Sequence, residues 1–358
     1  MRKLAVARAV RGIEPLVAAE IRRAGLGAVR GVRHREVWFE TAETGPALTG
    51  LRMADDVLLV GAVVEGVGRD RTALERLAGA AREIDPAGLL KAEPDGVEVS
   101  ASFLGRRNYG RFDIEDAVGG ELARTLRLPY HSRRDGRVPP EGAAGWRVTV
   151  EGDRAVIGLR VSGRPLHRRA YKVASVPGTL HPPVAAAMAW LARLGDARTV
   201  LDPCCGAGTT IVEARALAPR ARLLGLDLAV DAAKVNGESG AAFGVAGEEG
   251  GVAFAVADAG RIPLPDAGVD RVLVNPPWDR QVPPAGLLRR DPGRLWREIR
   301  RVLADDGLVV ALMPEDARTG LVVDRLVVDR TVRISLAGQH PAIAVLRKPG
   351  RASPGSAG

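Results

Sequence analysis

Two short segments of this chain hold residue types that could do chemistry together. In the first, the apolar run Val200-Leu201 leads into Asp202-Pro203-Cys204-Cys205-Gly206-Ala207-Gly208-Thr209-Thr210, followed by Ile211-Val212-Glu213-Ala214. That is the pattern of a strand, a small-residue turn and a helix. Glycines let a backbone approach a ligand, and a helix N-terminus offers unpaired N–H groups to a carboxylate or phosphate. A dinucleotide-binding loop has related chemistry, but the third glycine of GxGxxG is absent here. Asp202 also stands where it would face an ammonium rather than a pyrophosphate. S-adenosylmethionine carries both an ammonium and a carboxylate and suits the arrangement. Two later apolar runs end at Asp227, placed to accept from both ribose hydroxyls, and at Asp258, placed to accept from an adenine amine. The competing reading, that each acid only caps a following helix, weakens when three acids end three successive strands. Cys204 and Cys205 read as small loop residues, because no histidine is placed in sequence to activate a thiol.

The second segment is Val274-Asn275-Pro276-Pro277-Trp278, at the end of a further apolar run. An exocyclic amine on a nucleobase is conjugated with its ring and is a poor nucleophile. A carboxamide oxygen and a backbone carbonyl that both accept from the NH2 localise its lone pair without a strong base. The prolines fix the backbone and remove competing N–H donors. Trp278 offers a stacking face for a flipped base, worth about 1–3 kcal/mol. The competing reading is a proline-stiffened loop with a packed tryptophan; its place after a cofactor-type loop argues against that.

These segments need a sheet to hold them. From residue 181 the pattern alternates: a helix at 182–194, then strands at 199–203, 222–228, 252–257 and 269–274. The stripe Leu295, Ile299, Val302, Leu303 predicts a helix ending near Gly307, with a strand at 308–313 and a closing pair at 331–336 and 342–347. This predicts an α/β fold, a doubly wound parallel sheet with an antiparallel edge. Residues 1–65 read as a small α/β unit with strands at 4–10, 31–40 and 57–64 around a helix at 12–24. Residues 66–165 read as a second mixed unit, with helices at 72–84 and 114–126, strands at 97–103, 146–151 and 155–161, and a loop at 129–145.

With 358 residues, 46% hydrophobic and 27% charged, the chain has material for two or three domains and is not disordered as a whole. Its net charge of +9 permits a polyanionic partner, although five lysines among 52 basic residues also fit a GC-rich coding bias. Position is more informative: residues 101–172 hold 15 basic and 8 acidic groups. Arg106, Arg107, Arg133, Arg134, Arg168 and Arg169 lie in this stretch, as a phosphate-binding surface requires. The two cysteines are adjacent and no Cys/His spacing suggests zinc, so neither a disulfide nor a metal is expected. No run approaches a membrane span and no signal-like apolar core follows Met1, so the expected place is the cytoplasm.

Asp202–Thr210 together with Asn275–Trp278 resembles motifs I and IV of amino-directed, Rossmann-like S-adenosylmethionine methyltransferases. Arg11-Gly12-Ile13-Glu14, Leu51-Arg52-Met53-Ala54-Asp55-Asp56 and Leu166-His167-Arg168-Arg169-Ala170-Tyr171 resemble the ferredoxin-like plus THUMP module of RNA-modifying enzymes. Leu180-His181-Pro182-Pro183-Val184-Ala185-Ala186 is similar to that family's entry to its catalytic domain. As a whole, the chain resembles the THUMP-type tRNA (guanine-N2) methyltransferases. The resemblance implies a ferredoxin-like domain at 1–65, a THUMP domain at 66–165, a linker at 166–180, a methyltransferase domain with a seven-stranded sheet at 181–349, and a flexible tail at 350–358. It implies an enzyme that grips the tRNA acceptor end; a monomer is expected, and the basic stretch puts Arg106, Arg107, Arg168 and Arg169 on the RNA. Asp202, Cys204, Gly206, Gly208, Asp227 and Asp258 would line the S-adenosylmethionine site. Asn275, Pro276, Pro277 and Trp278 would present the amine, with guanine 6 of the acceptor stem as the favoured target and N2-methylguanosine as the product.

The pattern departs from the family where Trp278-Asp279 replaces its usual tyrosine and glycine; Asp279 either accepts from the guanine N1–H or caps a turn. The same chemistry on adenine N6, or on a guanine of ribosomal RNA, fits Asn275–Trp278 equally well. A nicotinamide-dependent oxidoreductase would use the glycine loop and Asp227 but leave Asn275–Trp278 and the basic stretch without a role.

Overall fold

Short apolar strands separated by turns dominate the first half of the chain, and in the computed structural model they pair into one sheet. The structure describes residues 2–86, 88–90, 92–241, 251–277, 282–314 and 324–349. They fall into two units, one of residues up to 9 and 14–167, the other of residues 10–13 and 168 onward.

The first unit contains β1 (Lys3–Arg8), α1 (Glu14–Arg23), β2 (Ala28–Arg33), β3 (Glu36–Thr41), α2 (Pro46–Thr49) and β4 (Asp56–Val64). It continues with α3 (Thr72–Arg82), β5 (Gly96–Phe103), α4 (Arg111–Leu126), β6 (Ala143–Glu151) and β7 (Arg154–Arg160). The seven strands lie in the order β2-β3-β1-β4-β7-β6-β5. Leu77 of α3 and Ile114, Val118 and Leu122 of α4 share a buried cluster with Trp146, Val148 and Val150 of β6. The alternation of β6 puts those three on one face, as a half-covered strand requires.

Two sequence expectations change here. The single strand expected at 31–40 is a hairpin, turning at His34-Arg35 with Arg35 at φ 57 and with β2 and β3 paired across the turn. No glycine or proline marks the turn, so the pattern hid it. In addition, β4 pairs with β7, so strands from 1–65 and from 66–165 share one continuous sheet.

The second unit contains α5 (Pro182–Leu191), β8 (Thr199–Asp202), α6 (Thr209–Leu217), β9 (Arg222–Asp227), α7 (Asp231–Gly240) and β10 (Val252–Val256). It continues with β11 (Val269–Val274), α8 (Gly293–Val302), β12 (Leu303–Met313), β13 (Val327–Arg333) and β14 (Ala342–Arg347). The strand order is β10-β9-β8-β11-β12-β14-β13, the expected doubly wound seven-stranded sheet. From β10 through β12 the pairs are parallel, and β14 runs antiparallel to both β12 and β13. The antiparallel strand is therefore next to the edge rather than at it. Strands with helices on both faces must be apolar throughout, and Thr199–Asp202 and Val272–Val274 are all buried. Helix α8 ends at Val302, five residues before the expected Gly307, and the chain passes directly into β12.

Leu295, Trp296, Ile299 and Val302 form the buried face of α8 and pack in a cluster with Leu201 of β8 and Val274 of β11. Ile299 is 0% exposed. Ile299→Ala is expected to lower the stability of this unit by about 2–5 kcal/mol, read by urea unfolding. A change within 0.5 kcal/mol would show that α8 does not brace the sheet.

Candidate functional site

In an open parallel sheet, ligands bind where the strand order reverses, outside the carboxyl ends of the strands. The reversal here lies between β8 and β11, which pair in parallel with Val272 opposite Leu201. The residues that leave the sheet at this point are Asp202, from β8, and Asn275, from β11.

Asp202 is 2% exposed. One carboxylate oxygen accepts from the Cys204 N–H at 3.0 Å and the other from the Thr210 hydroxyl, so this side chain ties the loop to the first turn of α6. Burial pushes its carboxyl up to about 7, opposed by these two hydrogen bonds and supported by the negative charge of Asp227. The loop then turns through Gly206 (φ +51) and Gly208 (φ +76). A Cβ on Gly208 would stand 3.0 Å from the Phe254 ring and 3.1 Å from Ala233, so this glycine keeps the loop packed on β10 and α7. At Gly206, Val176 is the sole neighbour within 4 Å of the place of a Cβ among the described residues, at an ordinary packing distance of 3.6 Å. The Gly206 N–H donates to Asp227 at 2.8 Å, linking the end of β9 to the loop.

Asp258 caps the Gly260 N–H at 2.8 Å and accepts from the Leu287 N–H at 2.7 Å. An open groove of about 790 Å³ lies beside it, lined in part by Val256, Ile262, Leu264 and Leu287. The Cys204 and Cys205 thiols are both pushed up by burial and then by the carboxylates of Asp202 and Asp227, so both stay protonated. Among the described residues, no group of three or more His, Cys, Asp and Glu is placed to hold a metal ion.

Asn275 is half-buried and donates from Nδ2 to the Gly178 carbonyl at 3.3 Å. A carboxamide facing a carbonyl must present its nitrogen, so the oxygen is turned the other way. Pro276 is buried and Pro277 half-buried. Trp278 and Asp279 lie outside the described residues.

Of the four arginines expected on RNA, Arg106 and Arg168 are exposed. Arg107 donates to the carbonyls of Val67, Gly68 and Gly152 and to the Tyr109 hydroxyl, clamping loops of the first unit. Arg169 pairs with the fully buried Glu213 of α6 at 2.9 Å, beside the Tyr171 hydroxyl on the same oxygen. Three residues here carry no distinct sequence signal. Glu213 and Thr209 sit within the loop-and-helix motif without one, although the Thr209 hydroxyl is buried and finds no partner among the described residues, and Asn236 lies on a helix that no strong periodicity announces. The orphaned Thr209 hydroxyl sits at the first turn of α6, directly after the loop that Asp202 and Asp227 brace. Together, this hydroxyl, the loop N–H groups and the strand-end carboxylates fit a ligand with ammonium, carboxylate and ribose groups.

Residues 169–326 match the RMKL-like methyltransferase domain family. The tRNA (guanine(6)-N2)-methyltransferase of Thermus thermophilus is 33% identical over 275 residues, which cover 74% of this chain and 76% of that enzyme. This chain belongs to the S-adenosylmethionine-dependent tRNA (guanine-N2) methyltransferase family. The crystal structure of TrmN from Thermus thermophilus aligns with a TM-score of 0.75 at 27% identity, covering 98% of this chain and 100% of that one. The U6 snRNA (guanine-N(2))-methyltransferase THUMPD2 of Bos taurus is 32% identical over 163 residues, 45% of this chain and 30% of that protein. As a member of this methyltransferase family the chain uses S-adenosylmethionine, and no helix among its described residues is long and apolar enough to cross a membrane.

In this methyltransferase the buried Asp202 carboxyl has a proton-linked consequence. Because its folded pKa lies above the ordinary carboxylate value, folding takes up a proton between that value and about pH 7. The stability tied to that proton is lost as pH rises through about 7. Asp202→Asn, neutral at every pH, is expected to lose less stability than the wild type between pH 5.5 and 8, the slopes differing by at most about 1.4 kcal/mol per pH unit. Parallel curves in thermal melts would mean that the folded carboxyl is already ionised.

Proposed function

We propose that this enzyme methylates the exocyclic N2 amine of a guanine in tRNA, guanine 6 of the acceptor stem being the favoured target, to give N2-methylguanosine. The observation that carries the reading is the Asn275 carboxamide, fixed at the sheet's reversal point by the Gly178 carbonyl, next to the Asp202–Thr210 loop. The name of the Thermus thermophilus relative supports the choice of base and position. S-adenosylmethionine, when bound, supplies an electrophilic methyl group on a sulfonium. Asp202, Cys204, Gly206, Gly208 and Thr209 would hold its amino-acid end, with Asp227 at the ribose and Asp258 at the adenine. The Asn275 oxygen and a backbone carbonyl of residues 275–277 accept from the guanine NH2 and localise its lone pair; Trp278, outside the described residues, is the aromatic proposed to stack on the base. Rate comes from position and from these preset acceptors, with no covalent intermediate on the protein.

Asn275→Ala is expected to lower kcat by about 10²–10³-fold while S-adenosylmethionine and tRNA affinities stay within about twofold. Single-turnover methylation and calorimetry check this, and loss of cofactor binding instead would make Asn275 a scaffold residue. Nucleoside mass spectrometry of tRNA treated with the wild type is expected to show N2-methylguanosine at one mapped position. N6-methyladenosine, or modification of ribosomal RNA alone, would overturn the choice of substrate.

The exposed Arg106 and Arg168 are the proposed phosphate contacts, each within its own unit, at the acceptor end of the tRNA. Arg168→Ala is expected to weaken tRNA binding and reduce the slope of log K against log salt by about one. An unchanged slope in filter binding between 50 and 200 mM salt would remove Arg168 from the interface.

A further inference from the structure

Residues 173–179 form no helix or strand, yet they are fastened at three points within the second unit. At one end, Asn236 of α7 is 0% exposed and uses its whole carboxamide. Its oxygen accepts from the Val173 and Ala174 N–H groups at 3.0 and 2.9 Å, and its nitrogen donates to the carbonyls of Ala174 and Ala207, both at 2.9 Å. Ala207 stands between the two glycines of the cofactor loop. In the middle, Val176 lies over Gly206, and the Thr179 N–H closes a turn onto the Val176 carbonyl at 3.0 Å. At the far end, the Gly178 carbonyl receives the Asn275 nitrogen. One side chain thus bonds the cofactor loop and a strap that ends on the residue assigned to present the amine.

Burial obliges the amide to satisfy its hydrogen bonds, but not to divide them between two separate backbone segments. Nor would a passive linker need its carbonyl on Asn275. We propose that Asn236 is a positioning residue that couples the cofactor loop to Asn275 through the 173–179 strap, so that filling the cofactor site sets the orientation of the Asn275 carboxamide. This rests on the role given above to Asn275, but it is independent of which RNA is methylated. Gly178, at φ +75 with Val282 Cγ2 2.7 Å from the place of a Cβ, stands where a side chain would not fit, so the strap can approach Asn275 only with a glycine there.

The test uses the full chain and S-adenosylhomocysteine, with no RNA present. In the wild type, S-adenosylhomocysteine is expected to slow amide hydrogen exchange across 173–179 and to shift the Asn275 side-chain amide signal, assigned by its loss in Asn275→Ala. In Asn236→Ala, S-adenosylhomocysteine affinity is expected to fall at least tenfold. At saturating ligand, the strap protection and the Asn275 shift are expected to be lost while the far-UV spectrum and cooperative melt remain. Wild-type exchange at 173–179 that ignores the ligand overturns the proposal, and this measurement stands even if Asn236→Ala does not fold. A folded Asn236→Ala that retains both affinity and the Asn275 shift overturns it as well. Failure of the wild type to methylate tRNA would count against the substrate, not against this coupling.

Discussion

The parallel pairing of β8 with β11 is the constraint on which the site depends. These strands are far apart in sequence, and their adjacency is what reverses the strand order of the sheet. On either side of a reversal the following connections go to opposite faces, which leaves a crevice above the carboxyl ends. Asp202 and Asn275 stand at the carboxyl ends of these two strands. Both strands are buried on both faces, so a slip of one residue would set Val200, Leu201 and Val272 against neighbours of the wrong shape and break the packing. The precision of the site is therefore inherited from apolar packing, and α8 contributes by closing one face with Leu295, Trp296 and Ile299.

The sequence posed capping and ligand binding as alternatives for the strand-end acids, and the structure removes that opposition. Asp227 accepts from the Leu228 and Gly206 N–H groups at 2.8 Å each, and Asp258 accepts from Gly260 and Leu287. Asp227 also takes a longer bond from the Ala229 N–H at 3.5 Å; a carboxylate has about four acceptor directions, so one that uses two or three on the backbone is both immobilised and still able to accept. Bracing of this kind is what makes an acceptor preorganised rather than merely present. Gly286, at φ +55, allows the backbone to reach Asp258, since a Cβ there would lie 2.1 Å from its carboxylate.

What was legible in the sequence was what is local. Asp202, Gly206, Gly208 and Asn275 follow apolar runs directly, so strand, turn and residue type could be read in one window. Asn236 could not be found that way, because its four partners lie about 30 and 60 residues away and its helix, α7, mixes glycine, acids and alanine without a clear stripe. The stretch 166–180 looked like a linker for the same reason: its order comes from distant groups such as Glu213 and Asn236, not from periodicity. The hairpin at Arg35 was hidden because a residue with a Cβ occupies the left-handed region without announcing it. Pairing of β4 with β7, nearly a hundred residues apart, is likewise a tertiary fact.

The basic stretch shows why charge counted along a sequence overstates charge available to a ligand. Arg133 pairs with Glu98, Arg134 with Asp113 and Asp116, Arg137 with Asp135, and Arg169 with Glu213. These pairs are not equivalent. Arg134 and Arg137 keep 53% and 87% of their side-chain surface, and exposed pairs are worth only about 0.2–1 kcal/mol, so a phosphate can compete for either guanidinium at little cost. Arg169 is 10% exposed and its partner 0%, and removing it would leave a buried carboxylate uncompensated. The electrostatic surplus that a polyanion can use is therefore drawn from the exposed arginines, paired or not. Arg169 instead fixes the path of the chain into the strap that reaches Asn275.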